Sequence, residues 1–119
     1  MKNEATGLNR IIKAAGYSRQ GIFAAYRNEA AFRQEVWLAL VLTPLSFFIA
    51  GDPIEWILLF GSVLLVLVVE LLNSGIEAVV DRLGEDWNEL SGRAKDMGSA
   101  AVLLSLILLT CTWLAVIIH

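Results

Sequence analysis

Hydrophobic positions form one amphipathic stretch and three long apolar runs along the chain. Over residues 8–26, apolar side chains recur at helical spacing with cationic ones between them, which predicts an amphipathic helix. The runs at about 30–49, 54–82 and 97–118 predict membrane-spanning helices, because about 20 mainly apolar residues are needed to cross a bilayer. We therefore predict an all-α membrane protein, a single domain over residues 1–119, with an amino-terminal surface helix and three transmembrane helices.

Composition and charge agree with this prediction and give it an orientation. Of the 119 residues, 57% are hydrophobic and 18% are charged. All nine Lys and Arg residues lie within 1–35 or 82–96. Because flanks rich in Lys and Arg stay in the cytoplasm, we predict that the amino terminus and the 82–96 connector are cytoplasmic and that the carboxyl terminus is outside. The first 35 residues contain no apolar segment of the kind found in a cleavable signal peptide.

The amphipathic stretch has two possible locations. Its cationic edge, which includes Arg10, Lys13 and Arg19, suits the headgroups of an anionic leaflet. Alternatively, the helix packs on the protein's own core. We favour the leaflet, because so short a membrane protein has little soluble core for the helix to cover.

Acidic residues continue the second apolar run without any turn signal. This acidic stripe comprises Glu70, Asn73, Glu77 and Asp81. On a helix the four lie at roughly 0°, −60°, −20° and +20°, so they share one narrow face. Acids at membrane depth are costly to desolvate, and a bound cation, a proton relay or a substrate hydroxyl is the usual reason to retain them. Glu70 is the strongest functional candidate, because Val and Leu residues surround it.

The acids favour a magnesium site rather than the site of a soluble-enzyme class. Four of them are predicted at one membrane depth: Glu29, Glu70, Glu77 and Asp96. Oxygen ligands without a Cys or His cluster suit Mg²⁺, which binds one or two carboxylates together with substrate phosphates. Arg33, Arg93 and Lys95 are bases that could face phosphate. The chain has neither a glycine-rich phosphate loop with lysine nor a dinucleotide fingerprint. Glu29 taken alone has a simpler explanation, a helix-surface ion pair with Arg33.

Four segments together resemble a known family. Residues 70–82 read ELLNSGIEAVVDR, and residues 89–100 read ELSGRAKDMGSA. Upstream, residues 10–18 read RIIKAAGYS, and residues 28–35 read NEAAFRQE. With these segments the chain resembles the prokaryotic diacylglycerol kinase family, the small integral-membrane lipid kinases.

The resemblance implies an assembly and a reaction. Family members are homotrimers of three-span subunits in the bacterial inner membrane, with active sites at subunit boundaries near the cytosolic face. They transfer the γ-phosphoryl group of Mg-ATP to the free hydroxyl of diacylglycerol, which makes phosphatidic acid. The expected partners are therefore a membrane lipid, ATP with Mg²⁺ and further copies of the chain, and no nucleic acid.

The resemblance also implies roles for individual residues. Glu70 would be the catalytic base, and Glu29 and Glu77 would hold the metal. The ATP contacts would be Tyr17, Glu29, Glu77, Asp86, Trp87, Asn88, Lys95 and Asp96. The lipid contacts would be Arg10, Ala14, Ala15, Gly16, Tyr17, Ser18, Arg19, Ala31, Phe32, Arg33, Gln34, Glu35, Glu70 and Ser99. Asn73 would orient groups around the base, and Asp81 would support the same site. After the Tyr-Ser pair this chain has Arg19 and Gln20, where many members have an aromatic residue and a lysine.

Two other functions remain as alternatives. The first is the same fold acting on a polyprenol, as the undecaprenol kinases of the family do. The second, from a different class, is a small proton-coupled transporter or a membrane scaffold. A transporter predicts acids along a continuous path across the bilayer, whereas the outer halves of the three predicted spans carry only Glu55, at the outer end of the second.

Overall fold

Four helices make up residues 6–119, the part of the chain that this computed structural model describes. They are α1 (Gly7–Asn28), α2 (Ala30–Ile49), α3 (Pro53–Arg82) and α4 (Glu89–Ile118). Helices α2, α3 and α4 are each long and apolar enough to cross a membrane. This confirms the all-α fold with three membrane-length helices. Lys2, which contributes to the predicted charge asymmetry, lies outside the described residues.

A single residue separates α1 from α2. Glu29 has an extended backbone, with φ −119° and ψ 109°, and its N–H still donates to the Ala25 carbonyl at 2.9 Å. One turn into α2, the Arg33 guanidinium donates to the carbonyl oxygens of Tyr26 at 2.8 Å and Arg27 at 3.0 Å. These are carbonyls in the last turn of α1, where partners within the helix run out and a cation is favourable. Arg33 therefore caps α1 and fixes the bend at Glu29.

The bounds of α3 follow from its capping residues. Asp52 is the N-cap, and its side chain accepts a hydrogen bond from the Glu55 N–H at 2.8 Å. Pro53 occupies the first helical position, where its missing N–H costs nothing. From there the helix continues to Arg82, which agrees with the predicted range of 54–82.

Helix α4 begins at Glu89, well before the apolar run predicted to start near residue 97. The Asn88 side chain accepts hydrogen bonds from the N–H groups of Leu90 at 2.9 Å and Ser91 at 3.1 Å, which starts the helix in the polar connector. The apolar run marks only the part that can lie in lipid. The polar first turns of α4 therefore extend beyond it, and they carry Lys95 and Asp96 on a rigid element.

The buried core lies between α3 and α4, which run antiparallel. It consists of Leu59, Val63 and Val66 from α3 and Leu109 and Trp113 from α4. The Trp113 indole N–H also donates to the Leu59 carbonyl and the Ser62 hydroxyl, each at 3.2 Å. Because lipid offers no competing partner, a satisfied indole helps to hold the two helices in register.

Large apolar side chains are widely exposed on the three membrane-length helices. Phe48 is 87% exposed on α2, and Leu104 is 65% exposed on α4. An apolar surface of this extent marks contact with a membrane or with other protein.

Candidate functional site

The acidic stripe of α3 forms as predicted and is buried at one end only. Glu70 is 4% exposed and Asn73 is 7% exposed. One turn farther on, Glu77 is half-buried, and Asp81 beyond it is exposed. The stripe therefore leads from a buried carboxyl group to the surface at the connector end of the helix pair.

Further acids approach Glu70 from the bend at Glu29, from α2 and from α3 itself. The charges of Glu77 and Glu29 both act on its carboxyl group, and the charge of Glu70 acts on Glu35 of α2. We call Glu29, Glu35, Glu70 and Glu77 the acidic cluster. Since like charges at reduced polarity repel strongly, such a cluster is most stable when a cation or a shared proton compensates it.

The donor set of the acidic cluster suits Mg²⁺ held together with nucleotide phosphates. Within residues 6–119 no three His, Cys, Asp or Glu side chains converge closely enough to hold a metal by themselves. Mg²⁺ usually takes only one or two carboxylates and completes its shell with phosphate and water. Glu29 and Glu77, the two predicted ligands, carry such oxygens, and both lie near enough to Glu70 for their charges to act on it.

Asn73 connects the acidic stripe to α4. Its side-chain N–H donates to Glu77 Oε1 at 3.4 Å, a long hydrogen bond. Its Oδ1 is buried and finds no hydrogen-bond partner among the described residues. Instead this oxygen lies against Gly98 of α4, where an added Cβ would overlap it. Close packing at Gly98 therefore sets the orientation of the Asn73 amide toward Glu77.

Four of the eight predicted ATP contacts, Asp86, Trp87, Asn88 and Lys95, meet at the connector end of α3 and α4. Lys95 Nζ pairs with Asp81 Oδ1 at 2.7 Å. An open cavity of about 450 Å³ adjoins this pair, and its lining includes Asp81, Asp86, Trp87, Asn88 and Lys95. The charge of Glu77 acts on Lys95 as well as on Glu70, so Glu77 links the cavity to the acidic cluster. Asp96 is exposed on the same turn of α4 as Lys95 and does not line the cavity.

A second cavity, of about 510 Å³, lies between α1 and α3. Its walls are mainly apolar, and its polar side chains are Ser18, Asn28, Glu29 and Ser74. Of the predicted lipid contacts only Ser18 lines it. Gly16 and Arg19 line a different depression, formed by α1 alone. Ser99 is exposed on α4.

Apart from Glu70, the remaining predicted lipid contacts fall into four groups. Arg10, Ala14 and Ala15 are exposed on α1 and line neither depression. Ala31 and Gln34 are exposed on α2, and Phe32 is buried beside them at 2% exposure. Arg33 caps α1, and Glu35 belongs to the acidic cluster. Tyr17 is half-buried on α1.

The family model for prokaryotic diacylglycerol kinase matches residues 16–117. The chain belongs to the prokaryotic diacylglycerol kinase family. It is 57% identical over 113 residues to the diacylglycerol kinase of Escherichia coli strain K12, which covers 95% of this chain and 93% of that protein. It is 51% identical over 110 residues to the diacylglycerol kinase of Haemophilus influenzae strain Rd, and the match covers 92% of this chain and 93% of that protein. The diacylglycerol kinase of Pseudomonas aeruginosa strain PAO1 is 50% identical over 113 residues, and the match covers 95% of this chain and 92% of that protein. The predicted resemblance is thereby confirmed.

Two residues at the site of this diacylglycerol kinase family member were not predicted in their observed places. Glu35 was expected to border the lipid, and its electrostatic link to Glu70 depends on how α2 packs against α3. Ser74 was part of the resembling segment but had no role, although it is 8% exposed and its Oγ has no partner among residues 6–119. Its helical position, about 40° from Glu70, is a signal that could have found it.

Proposed function

We propose that the protein is an ATP-dependent diacylglycerol kinase acting at the cytosolic face of the bacterial inner membrane. Relatives that cover nearly the whole chain carry this activity in their names. The observation that carries the proposal is the burial of Glu70, at 4% exposure on a membrane-length helix, among the other acids of the cluster. Buried acids of this kind are expected where a cation and a reacting hydroxyl bind.

Glu70 is the general base in this proposal. As the lipid oxygen bonds to the γ-phosphorus, the bond from that phosphorus to the β,γ-bridging oxygen breaks and ADP leaves with the electron pair. The hydroxyl proton passes to a carboxylate oxygen of Glu70. Val66, one turn earlier on α3 and 2% exposed, helps to keep water from the base.

Glu29 and Glu77, whose charges both act on this base, would hold Mg²⁺. Bound there with ATP, the ion would neutralise phosphate charge. Lys95 lies at the connector end of the acidic stripe, where it is paired with Asp81. From there its ammonium group can contact phosphate. Positioning and charge neutralisation account for most of phosphoryl-transfer catalysis, so this set suffices without a glycine-rich loop.

The cavity between α1 and α3 suits an acceptor that stays in the membrane. Its apolar walls can accommodate the parts of the acyl chains nearest the glycerol. The glycerol end then lies on the side of the cavity lined by Glu29, which belongs to the acidic cluster. Because α1 is cationic and amphipathic, it can lie at the headgroups beside this opening. Diacylglycerol then reaches the site sideways from the leaflet, and its acyl chains never enter water.

The amino terminus is proposed to be cytosolic and the carboxyl terminus to be outside. The cationic residues of α1 and of the start of α4 support this orientation. We also propose a homotrimer. The family resemblance and the exposed apolar surface of the single chain support it, since part of that surface would then pack between subunits.

One assay tests the function. The purified protein in mixed micelles, supplied with Mg-ATP, is given diacylglycerol or a polyprenol as acceptor, and phosphate transfer to organic-soluble product is measured. We expect phosphatidic acid from diacylglycerol at a much higher rate than polyprenyl phosphate. A preference for the polyprenol would reassign the acceptor, and transfer to neither would reject the kinase.

A further inference from the structure

Ser74 differs from the other buried serines of residues 6–119. The hydroxyls of Ser46, Ser62 and Ser105 donate to carbonyl oxygens three residues earlier in their helices, at 2.6, 2.8 and 2.7 Å. Ser74 is also buried, at 8% exposure, but its Oγ has no partner among the described residues. A buried hydroxyl without a partner is costly, and it is expected where a ligand supplies the missing bond.

The position of Ser74 indicates which ligand that is. Its side chain lines the cavity between α1 and α3, whose walls there include Ile22, Leu71 and Ala78. An apolar cavity with a few polar groups is the usual form of a site for a mainly apolar ligand. On α3, Ser74 follows Glu70 by one helical turn, which separates their Cβ atoms by about 5–6 Å.

Diacylglycerol matches this pair of groups. Its one hydrogen-bond donor is the reacting hydroxyl, whose proton Glu70 takes in the proposed reaction. Its other polar groups are two esters, which only accept hydrogen bonds. A serine hydroxyl near the base can donate to an ester carbonyl oxygen, and the span of the glycerol backbone is similar to one turn of helix.

We propose that the Ser74 hydroxyl donates a hydrogen bond to an ester carbonyl oxygen of the bound diacylglycerol and so holds its free hydroxyl at Glu70. This inference rests on the proposed function and deepens it. Ser74 is a positioning residue, because it does not touch the transferred phosphoryl group. It also makes the enzyme select ester-linked over ether-linked acceptors.

The test pairs Ser74→Ala with an acceptor that lacks the carbonyl groups. Purified wild type and Ser74→Ala are compared with diacylglycerol and with a dialkylglycerol of the same chain length. With diacylglycerol we expect the variant to raise the apparent KM for lipid by about 2- to 10-fold, the range for one neutral hydrogen bond. With the dialkylglycerol we expect wild type and variant to be alike. The KM for Mg-ATP should not change with either acceptor.

Ser105→Ala is the matched control. Ser105 has similar burial, at 5%, but its hydroxyl bonds to the Val102 carbonyl in α4. Its loss should leave both lipid KM values unchanged, and thermal unfolding in detergent checks that both variants fold.

Three outcomes contradict the inference. An unchanged lipid KM in Ser74→Ala, or an equal rise with ester and ether acceptors, overturns the Ser74 contact while the kinase activity stands. A wild type that phosphorylates neither acceptor overturns the proposed function, and the Ser74 contact with it.

Discussion

Burial of the Glu70 carboxyl group costs free energy, and a bound partner is needed to offset that cost. Its backbone and apolar neighbours would be at least as stable with a neutral side chain, because the other acids of the cluster repel its charge. The position therefore costs stability and is explained by function.

Glu70→Gln should abolish phosphoryl transfer without unfolding the protein. The amide cannot accept the hydroxyl proton, so turnover should fall by about 10²-fold or more, the usual contribution of a positioned base. Thermal unfolding in detergent should occur at the wild-type temperature or above it. Turnover assays and unfolding scans of the purified variant measure both.

Glu89→Gln is the control for this change. Glu89 is an exposed acid at the start of α4, and its ion pair with Arg93 is long, at 3.7 Å. Its replacement should leave turnover unchanged. If Glu70→Gln retained near-normal turnover in folded protein, Glu70 would not be the base.

Glu77→Gln should act on metal use more than on folding. Glu77 is half-buried beside Asn73. Its replacement by Gln would remove one carboxylate ligand and one negative charge from the proposed metal site. The Mg²⁺ concentration for half-maximal activity should rise by about tenfold or more, since changes that merely disturb a metal ligand cost about 10- to 100-fold. A titration of Mg²⁺ at fixed ATP measures this, and an unshifted curve would remove Glu77 from the metal site.

Helical periodicity accounts for the residues that could be placed from sequence. Glu70, Asn73 and Glu77 share a face because the period of the helix requires it, and the structure agrees. The link from Glu35 to Glu70 depends on how α2 packs against α3, which no single-helix pattern contains. Arg33 is similar, since its role as a cap for α1 depends on the bend at Glu29.

The boundaries of the helices also include some that the sequence pattern predicts and one that it misses. Apolar runs predicted α2 and α3 closely, because lipid exposure forces both composition and length. The first turns of α4 are polar, so the apolar pattern assigns them to the connector. Their signal is local, an Asn88 that can cap the helix and an acid in its first turn, so hydropathy alone misses it.

Gly98→Ala tests the closest contact between α3 and α4. The added Cβ would overlap Asn73 Oδ1, so the amide would have to turn and give up its bond to Glu77. We expect turnover to fall at least tenfold and stability to fall by about 1–3 kcal/mol, as for other overpacked cores. Turnover and thermal unfolding of the same preparation measure the two effects.

Gly61→Ala provides the comparison for Gly98. An added Cβ at Gly61 on α3 meets nothing within 4 Å, so the variant should keep its activity and its stability. Wild-type behaviour of Gly98→Ala would show that the α3–α4 contact does not control the Asn73 amide.

At the scale of the whole molecule, charge is divided between α1 and the rest of the chain. Helix α1 carries Arg10, Lys13, Arg19 and Arg27 and no acid, whereas the acidic cluster lies where α1 meets α2 and α3. A cationic helix on anionic headgroups and an acidic cluster that accepts Mg-ATP would keep lipid and nucleotide on separate approaches to one base. Sequence predicted this division through the Lys and Arg positions, but not the single-residue bend that brings Glu29 to Glu70.

The same electrostatic links predict how active sites are distributed in a trimer. Within one chain the charge of Glu77 acts on both Glu70 and Lys95. We therefore predict that the proposed base and the proposed phosphate contact act within one subunit, even if the site as a whole lies at a subunit boundary, as the resemblance implies. If Glu70→Gln and Lys95→Met subunits are unfolded together and reassembled as mixed trimers, activity should stay at the level of the separate variants. In mixed trimers of wild type and Glu70→Gln, activity should instead fall in proportion to the fraction of Glu70→Gln subunits. Each site with an intact base then works alone, and only a site built from two subunits would let the two inactive variants restore one another.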